Sequence, residues 1–283
     1  MYAPMVMAAL CVGAYLYGSA IRYNMAALDR GAADTTGLLS KLDSAASWSL
    51  GFAYIISVAY YLNLFGAFGV SFTAVSDPFH ARLLTSAVFV IILYVGWTRG
   101  FKSLEHMEYV SVTAKLAIIA GLLVGLAVYF SGKIETNGLL FNAPQRTGLS
   151  AIALAFGLIV TVQGFETSRY LGAEYDSRTR IRSMRWSQWL SSAIYMVYIL
   201  LMAYVFERGE LELSETTIID MMSIVAPILP VLLVAAALAA QFSAAVADTS
   251  GSGGLIAEMS ANRLTPRMAY GLLTCAGLLL TWF

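Results

Sequence analysis

Charge is scarce in this chain. Acidic and basic residues make up 12% of its 283 residues, about half the share carried by an ordinary soluble domain. That deficit excludes a surface that is solvated along most of its length. The 17 basic and 17 acidic residues cancel, so no net field favours nucleic acid or an acidic partner. Cysteine is nearly missing, and Cys11 and Cys275 both lie in apolar runs, which excludes a disulfide framework. His80 and His106 stand alone, with no His-Glu-x-x-His or Cys-x-x-Cys, so no metal centre or other cofactor is expected. A nucleotide-binding glycine loop is absent, and so is the Asn-x-Ser/Thr sequon. No basic region precedes the first apolar run, which therefore reads as a span and not as a cleavable signal.

What fills the chain is apolar. Hydrophobic residues reach 59% and the mean hydropathy is +0.73. Eight segments approach the roughly 20 residues needed to cross a bilayer. They are Tyr2–Tyr23, Trp48–Val75, Ala81–Trp97, Tyr109–Phe130, Leu149–Leu171, Trp186–Phe206, Ile218–Ala257 and Met268–Phe283. The seventh is long, and Pro227 and Pro230 predict a turn near its start. The expected fold class is all-α, a polytopic membrane helix bundle forming a single transmembrane domain over residues 1–283. Alternate connections carry Arg22, Arg30, Lys41; Arg99, Lys102; Arg169, Arg178, Arg180, Arg182, Arg185; and Arg263, Arg267. The other side carries Arg82, Lys133, Arg146 and Arg208. This bias puts the basic side in the cytoplasm and the chain start outside a cell membrane. Starting outside without a flank, and ending inside an apolar run, the chain reads as a fragment. The basic run Ser177–Arg185 is an orientation signal or, alternatively, a contact for anionic lipid.

The fifth segment changes character along its length. Up to Val162 it reads as an ordinary membrane helix. Then Gln163, Gly164, Glu166 and Arg169 bring an amide, a glycine, a carboxylate and a guanidinium within seven residues. A charge at bilayer depth costs about 2.5–3.5 kcal/mol on insertion scales, so it faces protein or water and is functional by default. Broken helical backbone is tolerated at that depth only beside a cavity. Gly164–Glu166 is therefore expected to be the unwound middle of a discontinuous helix on a solute pathway. Thr161, Gln163, Gly164, Phe165 and Glu166 are the candidate substrate contacts. Glu166 would carry a proton near neutral pH or, ionised, bridge to a further helix. A packing ion pair with Arg169, three residues on, is the alternative.

Other polar groups fall inside spans. Lys115 lies about 9 Å along its helix. It either snorkels to the surface or stands as a fixed charge at an ion site. Ser243, Asp248, Thr249 and Ser250 offer hard oxygen ligands for Na⁺, or a proton site. The small residues Ala240, Ala244, Ala247, Gly251 and Gly254 share a strip and also suit close helix packing. Tyr54, Ser57, Tyr60, Tyr61 and Asn63 form a polar aromatic cluster, in which Tyr60 and Tyr61 are candidate contacts for an amine.

Three stretches carry a family resemblance. Gly164-Phe165-Glu166-Thr167-Ser168, followed by Ala173-Glu174, resembles the sixth helix of the amino acid–polyamine–organocation superfamily of transporters. Gly100-Phe101-Lys102 through Val112-Thr113-Ala114-Lys115-Leu116 resembles the approach to its fifth. Gly253-Gly254-Leu255-Ile256-Ala257 to Arg263-Leu264-Thr265-Pro266 resembles the end of its eighth and the turn that follows. The resemblance implies the leucine-transporter fold, with this chain spanning helices two to nine and lacking the first and the last. It implies a secondary permease for amino acids or related amines, working by alternating access around a midplane site and driven by an ion gradient (Na⁺ or H⁺) or by exchange. After the acidic residue the family's Asn-Pro is replaced by Tyr175-Asp176-Ser177-Arg178. The partners expected are a small-molecule substrate and the bilayer. A non-transporting receptor or assembly partner is the alternative, and a membrane-embedded hydrolase using Asp248 with Asp220 is a weaker one.

Overall fold

The computed structural model describes residues 2–29, 37–71, 73–143, 147–206, 217–261 and 263–283. Among these residues are nine α-helices, two 3-10 segments and no strand. The helices are α1 (Ala3–Asp29), α2 (Leu38–Val70), α3 (Pro78–Thr98), α4 (Phe101–Glu135), α5 (Leu149–Gly157), α6 (Ser177–Met202), α7 (Thr217–Val225), α8 (Leu229–Met259) and α9 (Pro266–Trp282). The 3-10 segments, Leu158–Val162 and Phe165–Tyr170, lie between α5 and α6. The fold is the all-helical membrane bundle expected.

Five of the described helices, α1 to α4 and α8, are long and apolar enough to cross a membrane. The other three expected spans depart for separate reasons. The fifth segment is broken. The sixth helix starts at Ser177 and not near Trp186, so the basic run forms its first turns and dilutes its hydropathy. The last, α9, is only 17 residues long. The proline turn in the seventh segment is present: α7 ends at Val225 and α8 begins at Leu229. The loop charges at Arg30, Arg146 and Arg208 lie outside the described residues. Arg22, Lys41, Arg82, Lys102 and Lys133, counted as loop charges, lie inside the ends of α1 to α4.

Sequence signals explain several helix ends. Asp77 caps α3, accepting from the backbone N–H groups of Phe79 and His80 at 3.0 and 3.1 Å, with Pro78 at the first helical position. Thr265 and Pro266 repeat the device at α9.

The contacts divide the chain into two units. One comprises residues 1–24, 117–166 and 181–233; the other comprises 25–116, 167–180 and 234–283. In the first, Leu122 and Leu126 of α4 pack with Val205, Phe206, Met222 and Leu229. In the second, the core gathers Tyr54, Val58 and Leu62 of α2, Phe89 and Ile92 of α3, Ala245, Val246 and Leu255 of α8, and Tyr270 and Leu273 of α9. Polar links lock these helices. The Thr85 hydroxyl donates to the Leu62 carbonyl at 2.8 Å, and Asn63 donates to Thr281 at 3.3 Å. Such bonds matter where lipid supplies no hydrophobic drive between helices.

Candidate functional site

The break in the fifth segment has a visible chemical cause. Ile159, Val160, Thr161 and Val162 are four β-branched residues in a row, and each loses side-chain freedom in an α-helix. The α-helix ends before them at Gly157, and they tighten into a 3-10 turn. The Thr161 hydroxyl donates to the Leu158 carbonyl at 2.7 Å, within that turn. Gln163 and Gly164 then leave helical geometry, with Gly164 at φ +99°, a conformation that residues bearing a Cβ rarely adopt. The interruption thus sits at Gln163–Gly164, starting one residue earlier than expected, and Glu166 belongs to the 3-10 segment after it. The ordinary helix expected before Gln163 is likewise corrected, because the β-branched run ends it five residues early.

Glu166 turns back on the break. One of its carboxylate oxygens accepts from the Gly164 N–H at 2.9 Å. Arg169 is engaged elsewhere, paired with Asp43 of α2 at 3.2 Å and lying 5.2 Å from the centre of the Tyr170 ring. The guanidinium of Arg180, in the first turn of α6, donates to the Arg169 carbonyl. A cation therefore closes the carbonyl end of the second 3-10 segment. Further along, Tyr175 donates to Glu105, and that bond pushes the phenol up to about 12.

Beside the break lies a groove of about 620 Å³ between α1 and the broken segment. Its wall is apolar except for Tyr17 and Gln163. Phe165 is buried against the edge of the Tyr17 ring at 6.3 Å. Of the central candidates, Gln163 and Phe165 line this groove, while Thr161 and Gly164 are exposed.

The other candidates fall in the second unit, in separate places. The Lys115 ammonium donates to the Ser243 hydroxyl at 2.8 Å, and that hydroxyl donates to the Ala240 carbonyl at 3.0 Å. Asp248 is buried in α8 and accepts from Ser57 of α2 at 2.5 Å. Thr249 spends its proton on the Ala245 carbonyl at 2.7 Å. Ser250 is buried, and its hydroxyl has no partner among the described residues. Tyr61 packs on the core, its ring 6.0 Å from that of Tyr60, which is exposed. The structure therefore pairs Lys115 with Ser243 and Asp248 with Ser57, without gathering all five ion candidates on one point.

The small-residue strip of α8 does pack closely. A Cβ on Gly254 would overlap the carbonyl oxygen of Tyr170, and one on Gly251 would meet Thr167 at 2.8 Å. The second half of the broken segment lies directly on this glycine face.

One buried polar group escaped the sequence reading. Arg22 donates to the side-chain carbonyl of Gln188 on α6 and, at 2.7 Å, to Ser19. Its guanidinium lies 4.9 Å from the Tyr15 ring centre. Gln188 in turn donates to the Ala14 carbonyl at 2.7 Å. The available signal was Gln188 itself, an amide among apolar residues one helix turn past Met184.

A family model described as APC superfamily transporter matches residues 1–283. The chain is 37% identical over 293 residues to an uncharacterized protein of Aquifex aeolicus, covering 99% of this chain and 70% of that one.

Proposed function

This chain belongs to the APC superfamily of transporters, and on that premise we propose that it is a secondary permease of a cell membrane, taking amino acids or related amines. The observation that carries this reading is the interruption at Gln163–Gly164 beside a groove. Unwound backbone offers donors and acceptors that a continuous helix has already used. Gln163 adds an amide with both kinds of group. Glu166, held to the Gly164 N–H, supplies a negative charge for a substrate ammonium.

The Lys115–Ser243 contact supports a cycle that does not need sodium at that position. The ammonium already lies on the hydroxyl that a sodium ion would use. Asp248, buried against Ser57, is the proposed proton carrier. The basic connections are proposed to face the cytoplasm, on the strength of their charge bias.

The test is uptake of labelled amino acids into proteoliposomes, with the natural full-length protein, in sodium and in choline media across a pH gradient. Glu166→Gln and Gly164→Leu are each expected to cut uptake at least about tenfold, the effect of losing about 1.4 kcal/mol. Uptake is expected to persist in choline and to fall in Asp248→Asn. Wild-type uptake in both Glu166→Gln and Gly164→Leu would reduce the stretch to packing and overturn the reading.

A further inference from the structure

A second cavity, of about 420 Å³, lies wholly within the other unit and has no part in the central groove. Its size is that of a small-ligand site. Two helix starts open onto it. Phe101 begins α4 after Gly100 at φ +76°, and Thr265 and Pro266 begin α9. The α4 start attracts negative charge, because its first N–H groups lack intrahelical acceptors; at α9 Pro266 has no N–H and Thr265 already caps Met268. Arg267, in the first turn of α9, adds a full positive charge on the same wall.

The opposite sign is present too. Glu174, in the turn after the broken segment, lines the same cavity. Glu174 and Arg267 are both exposed at the cavity mouth, and neither has an ion pair or side-chain hydrogen bond among the described residues. Two opposite charges facing one cavity, without neutralising each other, suit a ligand that carries both.

The independent sign of a ligand is Ser250. It lines the cavity, is only 4% exposed, and its hydroxyl is orphaned among the described residues. An unmet buried hydroxyl is unfavourable, and a bound polar group would remove that cost. Phe101, Tyr170 and Tyr270 supply aromatic walls, which suit both an ammonium and a short apolar chain.

We infer that this cavity is a second binding site for a small zwitterion, an ammonium joined by a short linker to a carboxylate or phosphate. The acid group sits by Arg267 and the start of α4, the ammonium by Glu174, and Ser250 bonds the ligand at the buried end. A free amino acid and a phosphatidylethanolamine headgroup both present this chemistry. The inference stands on the cavity's own charges, so the substrate reading of the central groove can fail without it.

The experiment is local protection from alkylation. Ala173, exposed on the cavity wall, is replaced by Cys in a Cys275→Ala background of the full-length protein. The protein is held in nanodiscs of phosphatidylcholine alone and titrated with L-alanine, ethylamine or propionate. At ten times its dissociation constant, alanine leaves about one eleventh of the sites open, so alkylation slows about tenfold. Glu174→Gln and Arg267→Gln are each expected to raise the half-protecting concentration about tenfold, and Ser250→Ala several-fold. Glu166→Gln is expected to leave it unchanged. If alanine has no effect but phosphatidylethanolamine in the disc protects with the same dependence on Glu174 and Arg267, the site is a headgroup site and the inference holds. Protection by ethylamine or propionate equal to that by alanine overturns the zwitterion. Protection lost in Glu166→Gln assigns the effect to the central groove and overturns the second site. No protection by any ligand or lipid overturns it outright.

Discussion

Replacing Gly254 by alanine adds one methyl group where the chain has no room for it. The Cβ would overlap the Tyr170 carbonyl oxygen, lie 2.9 Å from its carbon, and lie 3.4 Å from the Tyr170 Cβ. Two of these neighbours are backbone atoms, so no rotamer change relieves the clash; α8 or the second 3-10 segment must move. Overpacking of this kind costs about 1–3 kcal/mol, and the rigid neighbours put Gly254→Ala at the upper end. At about 2 cal/mol/K of unfolding entropy per residue, a chain of this length loses roughly 1.7 °C per kcal/mol, so the drop is about 5 °C. Gly121→Ala in α4 is the matched control. It is also a helical glycine, but nothing lies within 4 Å of its Cβ position. There alanine only gains helix propensity, up to about 1 kcal/mol, and the midpoint is expected to rise by about 1–2 °C. Both are read by thermal unfolding of the detergent-purified protein at one scan rate. Should Gly254→Ala melt at or above the Gly121→Ala temperature, the close approach of the broken segment to α8 is wrong.

Two other perturbations probe different parts of the fold. Gln188→Ala removes the amide oxygen that accepts from Arg22, leaving the guanidinium its bond to Ser19, and is expected to cost about 1.5–3 kcal/mol in the same unfolding assay, as for a lost bond to a charged group. The double variant Arg22→Met with Gln188→Leu should recover part of that loss, and a single variant as stable as wild type would mean the guanidinium is not enclosed. At the start of α3, the bonds from His80 hold the Asp77 carboxyl below its ordinary 3.8. The carboxylate form therefore stabilises the folded state above pH 3.8, and that contribution is lost as the pH falls through the lower folded value. Melting temperature followed down to about pH 3 should show this loss in the wild type and not in Asp77→Asn; equal slopes would remove the cap from the account.

How much of this was legible beforehand depends on range. Composition alone gives a helical membrane bundle, since a backbone in lipid must satisfy itself locally. Pro227 and Pro230 marked their turn, and Gly164 marked the break, because those residues restrict or release the backbone at their own positions. The early end of α5 was legible as well, in the run from Ile159 to Val162, but apolar content masked it as ordinary helix. The sequence leaves Lys115 between the surface and an ion site, and its bond to Ser243, 128 residues away, shows only in the structure. The bond from Ser57 to Asp248 and the enclosure of Arg22 by Gln188 were not foreseen. Partners that meet across different helices leave no periodic trace in either segment. The basic run from Ser177 misled about where α6 starts, because arginine is a good helix former even where it breaks a hydropathy plot.

The Arg22–Gln188 contact also sets a schedule for synthesis. The two residues are 166 positions apart, and at 5–20 residues per second the ribosome needs about 8–33 s to travel between them. Throughout that interval α1 exists with its guanidinium but without the amide that receives it. Until α6 emerges, Arg22 has Ser19 of its own helix and must otherwise find water, a lipid phosphate or the insertion machinery itself. A slow codon or a pause between the two helices lengthens that exposure, so the rate of translation enters the assembly of a contact that looks purely static once made.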